Sequence, residues 1–379
     1  MNHFDVAIIG SGPAGASAAF HLAKNGISTV LIEKEKLPRY KTCGGGFVYR
    51  GRKDLPFDIS DIVEREFYKI DVFLGDSLHF TNKRENPIIS MVMRDSFDNL
   101  LVEKAKELGV TLLQEHKLTS LEFSNGKNII TTSQTQLTAT FVIAADGALS
   151  PTAKLAGWKE DTRKLIPALE YEVEVSEEDF NRLKNEVRFD IDAIPHGYAW
   201  SFPKKNHLSL GVASGKRTKI NLKKFYTEYL ETLGIKEVKN QTQHGFQIPV
   251  APRTDGFVKN NVFLIGDAAG FADPITAEGI SNAIYSGVLA AESIAEAQLN
   301  PTEAAALYNQ KLEVKLIPEI KTGLWLSKWF YEQTKIRNLV LKKHGQRFSE
   351  AMADVFMGDR SYPTNIANTI KQKIKELVF

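Results

Sequence analysis

Six residues, Gly10-Ser11-Gly12-Pro13-Ala14-Gly15, follow a short apolar run from Phe4 to Ile9 broken only by Asp5. They open a stretch in which Ala14, Ala18, Leu22 and Ala23 recur at helical spacing. A Gly-x-Gly-x-x-Gly turn in that context commits the chain to a βαβ unit that takes a dinucleotide. Gly10 permits the tight turn, Gly12 lets a pyrophosphate approach the backbone, and Gly15 lets helix and strand pack closely. The amides of the helix N-terminus then face the phosphates. Ser28 to Ile32 is apolar again, and Glu33 ends it 18 residues after Gly15, where a carboxylate reaches a ribose hydroxyl. The plainer alternative is a glycine turn followed by a surface glutamate.

Further along, FDNLLVEKAKEL after Arg94 carries an apolar helical face, and Phe141 to Ala145 reads as another buried strand ending in Asp146-Gly147. These elements predict a parallel sheet. Between about 165 and 249 the pattern changes to alternating runs, LEYEVEV, VRFDID, YAWSF and LSLGVA, separated by Pro, Gly and Asn turns. Such alternation predicts an antiparallel sheet. Residues 71–93 hold two more runs of this kind. The expected organisation is therefore a discontinuous nucleotide-binding domain over 1–70, 94–164 and 250–300, an antiparallel-sheet substrate domain over 71–93 and 165–249, and a helical region over 301–379.

Composition excludes several classes. Net charge is +2, too little for the electrostatic footprint of sequence-independent nucleic-acid binding, so no nucleic-acid partner is expected. The single cysteine, Cys43, excludes an intrachain disulfide and a multi-cysteine metal site, and points to a reducing compartment. With no basic segment before the first apolar run and no long uninterrupted apolar stretch, a cytoplasmic protein is expected, with any membrane contact peripheral. The eight histidines show no metal-ligand spacing, so no metal site is expected.

The fingerprint alone does not separate NAD from FAD. VFLIGDAAG places Asp267 after a strand and before a helix, where it can hold a ribitol hydroxyl; the alternative is a simple N-cap. Ala277-Glu278-Gly279-Ile280 opens a further helix whose dipole suits the flavin edge that gains negative charge on reduction. FAD is the favoured cofactor. The fold class is then α/β: a Rossmann-like FAD-binding domain with an inserted antiparallel-sheet substrate domain and a helical C-terminal region.

Seven motifs in this order, GSGPAG, KTCGGG at 41–46, Arg94 before FDNLL, Asp146-Gly147, YAWSFPK at 198–204, Gly266-Asp267 and AEGISNAIYSG at 277–287, resemble the geranylgeranyl reductase family of FAD-dependent oxidoreductases, within the flavoproteins similar to para-hydroxybenzoate hydroxylase. Lys154 departs from the pattern, since many relatives carry arginine there. The resemblance implies FAD bound near Ala14, Glu33, Cys43, Gly44, Gly46, Arg94, Asp267, Gly279 and Ile280, with a backbone contact near Leu118. It also implies reduction of carbon-carbon double bonds in a polyprenyl chain on a lipid, quinone or pigment precursor. Arg94 either serves the pyrophosphate or forms a surface ion pair with Asp95 and Asp98.

Tyr198, Trp200 and Phe202 alternate along one strand and so share one face. They form either a substrate wall or a sheet core. Cys43, beside three glycines and near Arg39 and Lys41, is the candidate proton donor, or else a small inert core residue. No second Gly-x-Gly-x-x-Gly unit is present, which leaves NADPH or ferredoxin as electron donor. Rival activities are a flavin-dependent aromatic monooxygenase or halogenase, and a non-catalytic prenyl-binding escort protein. Residues 301–379 carry 13 Lys and Arg against 8 Asp and Glu, and Trp325, Trp329 and Phe330 stand near Lys321 and Lys328. That end is expected either to dock on an anionic membrane surface or to pack as a helical cover.

Overall fold

Asn2–Ile9 is a central strand of a parallel sheet, and its last four residues are buried on both faces. A computed structural model describes residues 2–75, 78–216 and 220–362. The sheet runs in the order Val258–Lys259, Val262–Leu264, Gln136–Ala144, Asn2–Ile9, Thr29–Ile32, Thr111–Leu113. Asn2–Ile9 pairs in parallel with both neighbours, and the helix Pro13–Lys24 makes the crossover to Thr29–Ile32. A hairpin, Leu118–Ser124 with Lys127–Thr132, branches from Gln136–Ala144. Small residues let the helix Ile280–Glu296 lie against Pro13–Lys24 so closely that a Cβ on Gly287 would stand 2.4 Å from the Ala14 carbonyl oxygen.

The second sheet has seven strands, Val238–Ala251, Lys164–Val175, Leu208–Ser214, Gly197–Pro203, Val187–Ile191, Lys69–Leu74 and Leu78–Lys83. Its pairings are antiparallel as expected, except that Val187–Ile191 runs parallel to Lys69–Leu74. This is the seam between the two inserted segments, where no hairpin forces opposite directions.

The expected insertion over 71–93 divides. Lys69–Leu74 and Leu78–Lys83 join the large sheet, starting two residues before the expected boundary, whereas Ile89–Val92 forms a three-stranded sheet with Gly46–Val48 and Val63–Phe67. Ile88, Ile89 and Met91 are buried with Val48, Phe67 and Phe356, an enclosed environment that a strand with one solvated face does not require.

Three helices follow among the described residues. Pro301–Lys315 is capped by the Asn300 side chain and packs on the nucleotide-binding sheet, where the Tyr308 hydroxyl donates to the Leu264 carbonyl at 2.8 Å. Ile317–Glu332 and Thr334–Met357 cover the large sheet, with Phe330 and Phe348 stacked at 5.3 Å between centroids. Arg337, fully buried, donates to the Phe330 carbonyl at 2.8 Å and pairs with Asp192.

The tail aromatics accordingly part company. Phe330 is buried, Trp329 half-buried and Trp325 exposed, because neighbouring residues 329 and 330 point about 100° apart around a helix. The remainder of the expected tail, 363–379, lies outside the described residues. No helix among the described residues is long and apolar enough to cross a membrane.

Candidate functional site

A cavity of about 700 Å³ opens between the parallel sheet and the large antiparallel sheet. Gly10, Gly12 and Ala14 form part of one wall. Gly10 has φ +102°, and a Cβ there would meet the Ala145 carbonyl oxygen at 2.5 Å, so the turn requires glycine. A Cβ on Gly12 would meet only Arg94, at 3.7 Å, leaving its backbone open to a ligand. Gly15 does not line the cavity. Its Cβ would stand 2.0 Å from the Gly10 carbonyl oxygen, so it acts by packing and not by touching a cofactor.

Glu33 is 4% exposed and held from several sides: Oε2 accepts from the Ser11 amide at 3.1 Å and the Ser11 hydroxyl at 2.6 Å, and Oε1 from the Glu35 amide at 3.1 Å. Burial pushes its carboxyl up, but Arg39 and these donors hold it below the usual carboxylate range. Arg94 donates to both oxygens of the fully buried Asp98, at 2.8 and 3.0 Å, and Arg39 shares Asp98 at 3.0 Å. The ion pair with Asp98 therefore exists, but it is buried rather than superficial, and it anchors a cation on the cavity wall.

Asp267, Gly279 and Ile280 also line the cavity, as do Leu118, His116 and Lys117. Burial pushes the Asp267 carboxyl up against the pull of Lys41, Arg94 and Arg163. Arg163 fixes this loop by donating to the carbonyls of Asp267 and Ala148, each at 2.6 Å. Asp146 accepts from the Ser150 hydroxyl at 2.6 Å and the Thr152 amide at 2.8 Å, which makes it a turn-forming residue at the rim. Lys154 is exposed and does not line the cavity.

The Cys43-Gly44-Gly45-Gly46 loop lies against the aromatic strand. A Cβ on Gly44 would meet the Phe202 ring and Trp200 Nε1, both at 3.0 Å. Gly45 has φ +66°, and a Cβ there would stand 2.1 Å from the Val92 carbonyl oxygen. Fully buried Lys204 donates to the carbonyls of Gly44 at 2.6 Å and Val92 at 3.2 Å. Tyr198, Trp200 and Phe202 all line the cavity, and the Tyr198 hydroxyl donates to the Thr276 carbonyl at 2.5 Å. Gly211 on the next strand clears room for the Trp200 indole, which a Cβ would meet at 2.1 Å. Each of the three rings is backed by the sheet and lines the cavity.

A second, apolar cavity of about 70 Å³ lies under the last two helices, bounded by Phe80, Phe330, Leu341 and Phe348. It shares Phe189, Tyr198, Thr276 and Phe356 with the larger cavity, so the two adjoin. Glu170, Phe189 and Phe246 line the cavity without having been singled out in the sequence, whereas Lys41 was named there beside Cys43 and Lys204 only as the last residue of YAWSFPK. Lys41 stands 3.9 Å from the centre of the Phe246 ring, and burial followed by Arg94 pulls its ammonium below the usual value. It is the first residue of the KTCGGG motif. Glu170 is one of the alternating acids of LEYEVEV.

The residues fit FAD on structural grounds: an open glycine backbone, a fixed carboxylate at the end of the second strand, buried cations between them, and a cavity within the range of cofactor sites. The chain matches the FAD binding domain family over residues 74–307 and the FAD dependent oxidoreductase family over residues 5–74. A geranylgeranyl diphosphate reductase of Synechocystis is 31% identical over 79% of this chain and 78% of that protein. Digeranylgeranylglycerophospholipid reductase 1 of Methanococcoides burtonii is 25% identical over 99% of this chain and 97% of its own. A geranylgeranyl bacteriochlorophyll reductase-like structure from Thermoplasma acidophilum superposes with a TM-score of 0.76 at 25% identity, over 86% of this chain and 87% of that one. The fold is also shared with the flavin-dependent brominase Bmp2, at 21% identity, a TM-score of 0.73, and coverage of 99% and 100%.

Proposed function

The chain belongs to the geranylgeranyl reductase family of FAD-dependent oxidoreductases, and from that premise we propose that it saturates carbon-carbon double bonds of a polyprenyl chain carried on a lipid, quinone or pigment precursor. The observation that carries the reading is the apolar cavity adjoining the cofactor cavity at Phe189, Tyr198, Thr276 and Phe356. A hydrocarbon chain that reaches from the larger cavity into this one lies there against aromatic and aliphatic side chains. A compact aromatic substrate, as a monooxygenase or halogenase takes, leaves that extension unused.

FAD in its reduced form supplies a hydride. Gly10, Gly12 and Ala14 present backbone to the pyrophosphate, with Arg94 as counter-charge. Glu33 takes ribose hydroxyls, and Asp267, Gly279 and Ile280 hold the ribitol and pyrimidine end. Gly44, Gly46 and the Leu118 backbone complete the contact set. Tyr198, Trp200 and Phe202 orient the alkene and exclude water. Cys43 is the catalytic proton donor, at the tip of a loop whose glycines permit close approach. Electrons arrive from NADPH or ferredoxin; rapid-mixing reduction of the flavin by each donor without oxygen distinguishes them.

The substrate class implies a bilayer nearby. Trp325 (39% exposed), Ile336 (56%) and Leu339 (73%) lie on the last two helices, with exposed Lys321, Lys328, Lys335, Lys342 and Lys343. This surface suits reversible docking on anionic headgroups. Pelleting with anionic vesicles at low salt, lost at high salt, is expected; failure to pellet at low salt overturns docking alone.

The functional test is mass spectrometry of lipid extracts from cells with and without the protein. A gain of one hydrogen pair per reduced bond is expected, and identical prenyl masses contradict the reading.

A further inference from the structure

Glu170 lines the cofactor cavity from the strand Lys164–Val175 and is 2% exposed. Oε1 accepts the Ser209 hydroxyl at 2.7 Å, while Oε2 is buried without a hydrogen-bond partner among the described residues. An ionised oxygen left unpaired at that depth is costly, so the geometry favours a carboxyl that carries its proton there.

The groups around it are of both signs. Glu172 follows two residues later on the same face of the strand. Ser209 and His207 come from the adjoining strand and the turn before it, and Lys204 from the end of Gly197–Pro203. His244 stands opposite in register on Val238–Ala251, in ring contact with Tyr40 at 4.2 Å. Tyr40, Lys41 and Cys43 approach from the glycine loop, with Arg94 beyond Cys43. Burial, then the Glu172 carboxylate, pushes Glu170 up to about 7; Ser209, Lys204 and the Cys43 amide oppose this without overcoming it. Glu172 in turn pairs with His207 Nε2 at 2.8 Å, both partly exposed, so titratable groups continue from the cavity towards solvent.

We propose that Glu170 is the proton reservoir of the site, returning a proton to Cys43 after the thiol has given its own to the substrate. The proposal rests on the reading of Cys43 as proton donor. Saturating one double bond consumes a hydride from the reduced flavin and one proton. The Cys43 S–H bond breaks as the second C–H bond forms, leaving a thiolate. The Glu170 O–H bond then breaks, its proton passes to Sγ directly or through one water, and the carboxylate is reprotonated from solvent past Glu172 and His207. Acting through Cys43, Glu170 is a positioning residue.

Cys43 is the single cysteine of the chain, so alkylation of the oxidised, FAD-loaded protein by iodoacetamide reads one thiol with no prenyl substrate present. The wild-type rate against pH is expected to show an inflection near pH 7 from Glu170. Glu170→Gln is expected to lose this inflection and to react faster at pH 8, by up to about tenfold, since removing a nearby like charge is worth about one pK unit. Ser209→Ala retains the carboxyl but removes a donor to its charged form, and is expected to move the inflection to higher pH. Superimposable profiles for the wild type and either flavin-loaded variant would overturn the reservoir. An inflection in a protein that reduces no prenyl chain would overturn the functional reading and the reservoir with it, leaving only the electrostatic coupling of Glu170 to Cys43. Prenyl reduction without the inflection would overturn the reservoir and leave the functional reading standing.

Discussion

Lys204 Nζ and the Gly44 carbonyl oxygen lie 2.6 Å apart, so one buried side chain ties the aromatic strand to the glycine loop that carries Cys43. Burial pulls this ammonium below its usual value, with Glu172 and Glu170 acting the other way. The same nitrogen reaches the Val92 carbonyl, so the seven-stranded and three-stranded sheets meet at this point.

Lys204→Met withdraws the donor from two buried carbonyls, a loss of about 1–3 kcal/mol. Equilibrium urea unfolding of the FAD-loaded protein is expected to show a lower midpoint with an unchanged slope, together with faster flavin release. Unchanged midpoint and release rate would mean that the tie carries no energy.

The fingerprint glycines are expected to fail in different ways. Gly12→Val meets only Arg94, at 3.7 Å for its Cβ, so the chain folds but binds no flavin. Gly15→Val places its Cβ 2.0 Å from the Gly10 carbonyl oxygen and disrupts folding itself. Circular dichroism beside flavin absorbance separates the two. Full flavin occupancy in Gly12→Val would contradict the site assignment.

The apolar cavity is expected to set the acceptable chain length. Leu341→Phe adds bulk to the wall of this cavity, and is expected to lower kcat/KM for a geranylgeranyl chain relative to a geranyl chain by about tenfold, the scale of small volume changes in apolar pockets. An unchanged ratio in a stably folded variant would place the chain elsewhere.

Glu170 has a signature in stability as well. Its carboxyl rises from 4.5 to about 7 on folding, so between those values the folded state binds more protons than the unfolded and stability falls as pH rises. The contribution is complete below pH 4.5 and lost as pH passes 7. Relative to Glu170→Gln, the wild type is expected to lose up to about 3 kcal/mol between pH 4 and 8. Parallel stability curves for the two proteins would contradict an elevated carboxyl.

How much of this the sequence disclosed depended on how local the cause was. The roles of Gly10 and Gly15 follow from contacts within one βαβ unit, and the pattern around them was legible. Glu170 was not. In LEYEVEV an acid at every second position looks like a solvated face, and only the approach of the glycine loop turns that face into a cavity wall. Phe330 stayed undecided for a similar reason: aromatics near lysines suit a membrane face as well as a helical cover, and only Phe348 from the next helix, stacked on this ring, separates the two for that residue. The separate fate of Ile89–Val92 was hidden because its partners, Gly46–Val48 and Val63–Phe67, are distant in sequence and short.

The central claim is that reduced FAD on this chain delivers its hydride to a prenyl double bond. The most direct measurement is a single turnover without oxygen: the FAD-loaded protein is reduced chemically, excess reductant is removed, and a geranylgeranyl-bearing lipid is added while the flavin spectrum is followed. The account predicts return of the oxidised flavin absorbance with a matching gain of two hydrogens per reduced bond in the lipid. A flavin that stays reduced until oxygen is admitted, with no lipid gaining hydrogen, would contradict it.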